Sequence, residues 1–304
     1  MTISELLGRY PFPPDQKRPV HIRGELIHHF IYPPHTAKNS DLNYLYCSTD
    51  KLTVCIFQLG PGGVFDPPDY HAGDEVYYIL EGILTEGNPP MGQLVRVKQG
   101  EGLLLPKPVW HKGYNFEQGI VRILAVLAPK IWEEGLPPTE FQPEMFKYYK
   151  GAFNNRLPTH PPIAGHVVLG TADDIGRWPL PGPQSRQEPL MMYPIREEDK
   201  LLNIQGSESP MLVKFLVSND WVHVGEFVLP AGGTSPRHSE PDTHRGDCLL
   251  YVEQGPITIY LPDTQDVYHV QVGEAMFLPE GVCYQMINYT AGVVVAVFAI
   301  APQL

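Results

Sequence analysis

Several features that many proteins have are scarce in this 304-residue sequence, and each scarcity excludes a class of function. Basic residues are few: 22 Lys and Arg stand against 34 Asp and Glu, which gives a formal net charge of -12. Because no basic run appears either, the sequence argues against binding to nucleic acid or to an anionic membrane surface. No apolar stretch approaches the roughly 18 residues that a membrane span needs.

The sequence also has few cysteines, no signal-peptide pattern in residues 1–16 and little helical periodicity. Four cysteines in 304 residues do not make a disulfide framework, which favours a reducing, cytoplasmic location. Residues 1–16 lack the basic-then-apolar order of a signal peptide. The best helical candidate covers residues 138–153, and Pro143 interrupts it.

Short apolar runs, separated by Gly, Pro and Asp, are what the sequence has in quantity. Examples are residues 53–59, 75–80, 120–129, 248–253 and 293–302. These runs are rich in Val, Ile, Tyr and Phe, and turn residues lie between them, so they predict antiparallel strands of a sandwich or barrel. The sequence therefore predicts an all-β fold.

Two stretches of the chain align at a constant offset of 173 residues, without insertion or deletion. The matching pairs are Asp69 with Asp242, His71 with His244, Gly82 with Gly255, Gly100 with Gly273, Pro106 with Pro279 and Asn115 with Asn288. Two positions break the match, because Cys248 stands where the first copy has Glu75, and Tyr284 where it has His111. Both changes remove a residue that could hold a metal. We therefore expect a working site in the first copy and a degenerate one in the second.

The repeat predicts three domains. Residues 1–130 are expected to form a first barrel with a metal site, and residues 191–304 a second barrel whose site is degenerate. Residues 131–190 between them are rich in proline, and we expect an ordered connector with a short helix, because its aromatic residues are too apolar for a free linker. These aromatic residues are Trp132, Phe146, Tyr148, Tyr149 and Trp178.

Two imidazoles and a carboxylate can converge at the mouth of the first barrel. Residues two apart on a strand share a face, so Asp69 and His71 can point the same way. Glu75 begins a strand and points inward together with Tyr77, while His111 comes from a different strand. Such a facial set with open positions suits Fe(II), Mn(II), Ni(II) or Zn(II). Asp69 would either be a fourth ligand or lie behind the ligands, where it would orient one of them or act as a base.

The same residues resemble the two sequence motifs of the cupin superfamily. The first motif is matched by Gly63, Asp69, Tyr70, His71, Glu75 and Gly82, and the second by Gly100, Pro106, Lys107, Pro108, His111 and Asn115. Because the match extends to both halves, the sequence resembles a bicupin, which implies two double-stranded β-helix (jelly-roll) barrels with a metal in an open mouth. The family usually has His at position 69 and Gly at position 108, where this sequence has Asp69 and Pro108.

Two classes of reaction remain open from the sequence. The facial set and the resemblance favour a dioxygenase-type oxidoreductase with one divalent metal per chain, Fe(II) first, acting on a small phenolic, oxo-acid or diketone substrate. The alternative is a metal-dependent isomerase, lyase or decarboxylase acting on a sugar or oxo-acid, with Asp69 moving a proton. Tyr77 is the second candidate for a catalytic role. A non-catalytic bicupin that binds a small molecule is a third option.

The second copy leaves one alternative of its own. Cys248 with His244 and His238 could form a softer metal site, although a vestigial site with a buried Cys248 is favoured. The expected partners are a small-molecule substrate and no nucleic acid or membrane, and the chain could form a homo-oligomer.

Overall fold

The computed structural model describes residues 3–32, 41–65, 68–131, 170–206, 208–235 and 242–304. Strands dominate these ranges, and the prediction of an all-β fold is confirmed. The short helical elements are α1 (Ile3–Leu6), α2 (Pro183–Gln187) and 3₁₀ turns at Pro14–Gln16, Gly24–Leu26, Ala172–Asp174 and Glu197–Asp199. None of the helices in the described ranges has the length and apolar character to cross a bilayer.

Ten strands precede the gap after residue 131. They are β1 (Val20–Ile22), β2 (His28–Tyr32), β3 (Asp41–Ser48), β4 (Thr53–Leu59), β5 (Asp74–Glu81), β6 (Ile83–Asn88), β7 (Gln93–Lys98), β8 (Gly102–Leu105), β9 (Lys112–Tyr114) and β10 (Val121–Ala128). The strands that follow are β11 (Tyr193–Ile195), β12 (Leu201–Gln205), β13 (Met211–Ser218), β14 (His223–Leu229), β15 (Thr234–Ser235), β16 (Asp247–Gln254), β17 (Ile257–Leu261), β18 (Asp266–Val270), β19 (Ala275–Leu278), β20 (Gln285–Ile287) and β21 (Val294–Ala301).

Each half of the chain contributes one large and one small antiparallel sheet. The first large sheet has the order β11-β8-β5-β10-β4-β3-β2, and the small one β7-β6-β9. The second pair has the orders β1-β19-β16-β21-β14-β13-β12 and β15-β20-β17-β18. At the 173-residue offset, β5, β8, β9 and β10 correspond to β16, β19, β20 and β21. The predicted pair of jelly-roll barrels is confirmed.

Strand β5 shows why the apolar runs are nearly continuous in the sequence. Tyr77 and Ile79 belong to the core of the first barrel, whereas Val76 and Tyr78 face a core that joins both barrels. In a strand that is buried on both faces, the odd and the even positions are both apolar, so the sequence shows a continuous apolar run. The chain then turns at Gly82 with a φ of 80°, a left-handed conformation that glycine adopts without strain.

Two three-residue strands cross from one barrel to the other. β1, near the start of the chain, pairs antiparallel with β19 of the second barrel. β11, which follows the connector, pairs antiparallel with β8 of the first barrel. Each large sheet is therefore completed by a strand from the other half. The domain boundaries at 130 and 191 stay a prediction, and neither predicted barrel segment contains the whole of its own sheet.

Most of the predicted connector lies outside the described residues. That applies to the helical candidate at 138–153 and to Trp132, Phe146, Tyr148 and Tyr149. Trp178 is described and is 2% exposed, and it packs in the core of the second barrel. This packing agrees with an ordered attachment at the end of the connector.

Candidate metal centre

Two segments of the first barrel carry the candidate ligands. His71 lies just before β5, and Glu75 is the second residue of that strand. The second segment is brought alongside by an antiparallel bridge between Asp69 and His111. The amide of Asp69 donates to the carbonyl of His111 at 3.0 Å, and the amide of His111 donates to the carbonyl of Asp69 at 2.9 Å. The same bridge recurs between Asp242 and Tyr284 in the second barrel.

The ligand atoms of His71, Glu75 and His111 all lie within 4.8 Å of one another. The Nε2 atoms of His71 and His111 are each 3.2 Å from Oε2 of Glu75. The side chains of Glu75, His111 and His71 are 1%, 5% and 10% exposed, so the set is almost sealed from water. Within the described ranges, no second group of His, Cys, Asp or Glu side chains meets the same distance limit.

The three side chains fit a divalent metal. Both carboxylate oxygens of Glu75 are buried without a hydrogen bond from any described residue, so the two short imidazole contacts lack hydrogen-bond geometry. A buried carboxylate in that state is costly. Nδ1 of His111 lies 3.2 Å from the carbonyl of Val109, and a proton donated there leaves the lone pair of Nε2 facing Glu75. Electron-pair donors that face one another in this way suit a cation.

The pKa values of His71, Glu75 and His111 are shifted by one another's charges. Burial lowers the pKa of His71, but the charges of Glu75 and Asp69 outweigh it and raise that pKa to about 9. Burial raises the pKa of Glu75, but the two imidazoles outweigh it and lower that pKa to about 2. The pKa of His111 is also raised, because Glu75 outweighs the effect of burial. At neutral pH, the ionised carboxylate of Glu75 therefore lies beside a protonated His71 in the metal-free protein.

Asp69 lies next to this set but is not a member of it. Its Oδ1 accepts a hydrogen bond from the amide of Tyr70 at 2.7 Å. Its charge contributes to the raised pKa of His71. The structure therefore brings together three of the four predicted ligands, and the role of Asp69 as ligand or base stays a prediction.

Tyr77 lines the inner face of the first barrel beside the centre. It is 1% exposed, and its ring meets the ring of His111 edge-on, with centroids 6.3 Å apart. A catalytic role for Tyr77 stays a prediction. Trp110 packs on Tyr70 with ring centroids 4.7 Å apart. Tyr114 stacks on the exposed Phe116 with ring centroids 5.6 Å apart, and it is on the face of β9 opposite that of Gly113.

Glu86 is a buried carboxylate that the sequence did not single out. It is 0% exposed and lies on β6, opposite Gly113 of β9. The alternation of β6 places it on the same face as Leu84, which belongs to the core of the first barrel. The sequence offers one signal for this position: Glu86 lies two residues after the apolar Leu84, so the two side chains share a face of the strand. That signal shows which face is buried only once the pairing register of β6 is known.

In the second barrel, the residues at the positions of His71 and His111 are joined to each other by a hydrogen bond. Nε2 of His244 lies 2.6 Å from the hydroxyl of Tyr284. Cys248 is completely buried, and burial raises the pKa of its thiol well above the usual value, so the thiol keeps its proton in the metal-free protein. His238 lies outside the described residues. The described part of the second barrel therefore supports the vestigial interpretation.

Replacing Cys248 by Ser tests that interpretation. We expect the purified variant to keep the metal content of the wild type, roughly one divalent ion per chain, because the thiol is protonated and buried. Elemental analysis of both proteins after the same dialysis is the measurement. A lower metal content in the variant would show that the second barrel also holds an ion.

Comparisons with known proteins agree with this fold. Residues 55–127 match the family model described as Cupin domain. The oxalate decarboxylase of Lactobacillus farciminis, solved as a formate complex, has a TM-score of 0.58 at 13% identity, covering 95% of this chain and 87% of that chain. The oxalate decarboxylase of Bacillus subtilis, studied for its Mn(II) centres, has a TM-score of 0.57 at 15% identity, covering 95% and 78%.

A third similar structure is AerE from Microcystis aeruginosa, with a TM-score of 0.55 at 9% identity, covering 90% of this chain and 98% of that chain. At these identities the likeness concerns the fold alone. No curated protein matches the sequence.

Proposed function

We propose that this chain is a bicupin, with a cupin domain at residues 55–127 and a second barrel of similar topology, and that it is a metal-dependent enzyme. One divalent ion per chain would be held by His71, Glu75 and His111 in the first barrel. The observation that carries this proposal is the group of three donors within 4.8 Å, whose carboxylate has no hydrogen bond from a described residue. A cytoplasmic location and a homo-oligomeric state remain predictions.

The reaction that this donor set favours is oxidation of a small phenolic, oxo-acid or diketone substrate by a dioxygenase mechanism. Two imidazoles and one carboxylate on one side of an ion leave the opposite positions open, which is the arrangement of non-haem Fe(II) oxygenases. A bound metal would supply the open positions for substrate oxygens and, as iron, the electron transfer to dioxygen. The buried Tyr77 would exclude water beside His111, and the carboxylate of Asp69 could take a proton from the substrate.

A metal-dependent lyase or decarboxylase is the second candidate. It is favoured by two neighbours in fold that are named as oxalate decarboxylases, at 13% and 15% identity. In that reaction the ion would hold the substrate oxygens, and Asp69 would move the proton. An isomerase acting on a sugar would use the same metal ion and the same Asp69 carboxylate.

The two reactions differ in their need for oxygen. The freshly purified protein is first analysed for metals, then mixed with a phenolic acid, a diketone, an oxo-acid and oxalate, with and without air. A dioxygenase consumes O2 as substrate disappears and stops without air, whereas a decarboxylase of the non-oxidative kind releases CO2 with no net consumption of O2. Glu75→Gln should abolish either activity, and His244→Ala, at the equivalent position of the second barrel, should retain it. Saturable ligand binding with no turnover would instead indicate a non-catalytic bicupin.

Metal uptake should release protons, and its affinity should depend on pH. Because His71 has a pKa of about 9, it is protonated at pH 7 and must lose its proton before it can donate to a metal. We expect release of about one proton per ion at pH 7, and an apparent affinity that rises roughly tenfold per pH unit until pH 9. Calorimetric titration in buffers of different ionisation enthalpy measures this proton. Identical heats in all buffers would contradict the expectation.

The same pKa predicts how the metal-free protein responds to pH. The pKa of His71 is raised from 6.5, so its contribution to stability is complete below pH 6.5 and is lost as pH rises through about 9. The metal-loaded protein should not show this loss, because its His71 is already neutral. Thermal unfolding of both forms between pH 6 and pH 10 makes the comparison.

A further inference from the structure

One arginine and three tyrosines lie together where the large sheets of the two barrels face each other. Arg122 of β10 shares a strand face with Leu124, which belongs to the core that joins both barrels. Near it are Tyr44 and Tyr46 of β3 and Tyr251 of β16, and these four residues are called the Arg122 cluster. Arg122 and Tyr44 are partly exposed, so the cluster reaches the surface at the junction of the barrels.

The aromatic rings of the Arg122 cluster surround its positive charge. Cζ of Arg122 lies 6.0 Å from the ring centroid of Tyr44, and the rings of Tyr46 and Tyr251 meet edge-on with centroids 5.6 Å apart. Burial raises the pKa of Tyr46 and of Tyr251, and the charge of Arg122 opposes that rise in both. The guanidinium therefore acts on tyrosines from both barrels.

Two hydrogen-bond donors of the Arg122 cluster have no acceptor within the protein. Nε of Arg122 is buried without a hydrogen bond, and no ion pair joins its guanidinium to a described carboxylate. Tyr251 is 4% exposed, and its hydroxyl has no hydrogen-bond partner among the described residues. The hydroxyl of Tyr46, by contrast, donates to the carbonyl of Gly273 at 2.7 Å. Donors shielded from water are costly without acceptors, so this pair indicates an acceptor from outside the chain.

The carboxylates whose charges reach the Arg122 cluster have partners of their own. Oε2 of Glu253 accepts a hydrogen bond from the hydroxyl of Tyr78 at 2.7 Å. Oε2 of Glu274 lies 2.7 Å from Nε2 of His21. Both carboxylates raise the pKa of a tyrosine in the cluster, so they oppose an anion there, but neither is paired with Arg122.

The repeat shows that the fold does not require this cation. At the 173-residue offset, Val295 stands at the position of Arg122, on the same strand face as Val297 of the core that joins the barrels. Tyr78 stands at the position of Tyr251, and its hydroxyl is satisfied by Glu253, as described above. The first barrel therefore has a cation, and the second a free hydroxyl, at places where the equivalent residues are apolar or satisfied.

We propose that the Arg122 cluster binds a small aromatic carboxylate at the junction of the two barrels. The guanidinium and the hydroxyl of Tyr251 would donate to the carboxylate oxygens, and the rings of Tyr44 and Tyr46 would cover the aromatic part. A guanidinium suits this ligand because its planar fork matches a carboxylate. Arg122 is on the outer face of the sheet and Glu75 on its inner face, so the proposal does not rest on the proposed function.

Benzoate and its uncharged analogue benzamide test the proposal. The purified, metal-loaded wild type, Arg122→Val and Tyr251→Phe are titrated with each compound by calorimetry. Benzoate should bind Arg122→Val at least about tenfold more weakly than wild type, and Tyr251→Phe about threefold more weakly, because a hydrogen bond to a charged group is the stronger of the two. Benzamide should bind wild type and Arg122→Val equally. The valine is the residue that the second barrel has at this place.

Two controls address net charge and stability. Arg96 of β7 pairs with Glu117 at the surface, so Arg96→Met removes the same charge from another place. Its benzoate affinity should equal that of wild type, and an equal loss in this variant would overturn the proposal. Arg122→Val should not lower the midpoint of urea unfolding, because no protein partner is lost. A clear fall would show that Arg122 stabilises the chain through a partner, such as its strand neighbour Glu81, and would also overturn the proposal.

The last arm separates this site from the metal centre, since benzoate is also able to bind a metal ion. Glu75→Gln, which should lose the metal, should keep the benzoate affinity that depends on Arg122. Binding that is lost in Glu75→Gln and kept in Arg122→Val would assign benzoate to the metal, which overturns this inference and leaves the proposed function standing. Wild type without saturable benzoate binding up to about 10 mM would overturn it as well. If Arg122→Val does not fold, Arg122→Gln takes its place with the same expected loss.

Discussion

Replacing Glu75 by Gln should empty the metal site while leaving its shape intact. The amide has the size of the carboxylate but carries no negative charge, and Glu75 is the acidic member of a set in which both imidazoles lie 3.2 Å from it. We expect metal affinity to fall by more than about 100-fold, since even outer-shell changes cost 10- to 100-fold. Elemental analysis after dialysis should show metal falling from roughly one ion per chain to a trace.

The repeat supplies matched controls for the two histidines. His71→Ala and His111→Ala should lose metal, whereas His244→Ala and Tyr284→Phe, at the equivalent positions of the second barrel, should keep it. All four changes remove polar atoms at equivalent places, so a general loss of folding would affect both pairs. Unchanged metal content in His71→Ala and His111→Ala would show that the metal centre has been assigned to the wrong residues.

Much of this centre could be predicted from the sequence, because its parts are set by local spacing. His71 and Glu75 are four residues apart, and one short segment brings both to the start of β5. His111 comes from a second strand, but the 173-residue repeat fixes its place relative to them. Asp69 was harder to predict, because its backbone pairs with His111 while its side chain accepts a hydrogen bond from the amide of Tyr70.

The features that the sequence did not reveal depend on long-range pairing. β1 and β11 have three residues each, too few for a periodic pattern, and each pairs with a strand of the other barrel. The inward position of Glu86 depends on strand register, and a shift of one residue would turn it outward. The contact between Asp74 and Arg186 joins residues 112 positions apart in the chain. No local pattern encodes such a pair.

Replacing Arg186 by Met should destabilise the protein strongly, because it leaves a buried charge without its partner. Asp74 is 0% exposed, and its Oδ2 accepts hydrogen bonds from Nε of Arg186 at 2.6 Å and from Asn219 at 3.0 Å. Burial raises the pKa of Asp74, and the charge of Arg186 opposes that rise. Removing one partner of a buried ion pair costs about 3–5 kcal/mol. The midpoint of urea unfolding should fall accordingly.

The second barrel again supplies the control. Asp247, the equivalent of Asp74, is held by Lys17 at 2.6 Å and by Thr49 at 2.7 Å. The two contacts are arranged alike. Arg186 lies before the second barrel in the chain and pairs with Asp74 of the first, and Lys17 lies before most of the first barrel and pairs with Asp247 of the second. Lys17→Met should also lower the unfolding midpoint, though less, because the side chain of Lys17 is 12% exposed and that of Arg186 1%.

Metal affinity should separate the two variants, because Asp74 immediately precedes the ligand Glu75, whereas Asp247 precedes Cys248. Loss of Arg186 frees the start of β5 and should weaken metal binding roughly 10-fold, in the range of outer-shell changes. Loss of Lys17 should leave metal binding unchanged at a temperature where both variants are folded. The double variant Arg186→Met with Asp74→Asn should recover part of the stability, since it removes both charges. Equal metal affinities in the two single variants would show that the contact stabilises the barrels without positioning Glu75.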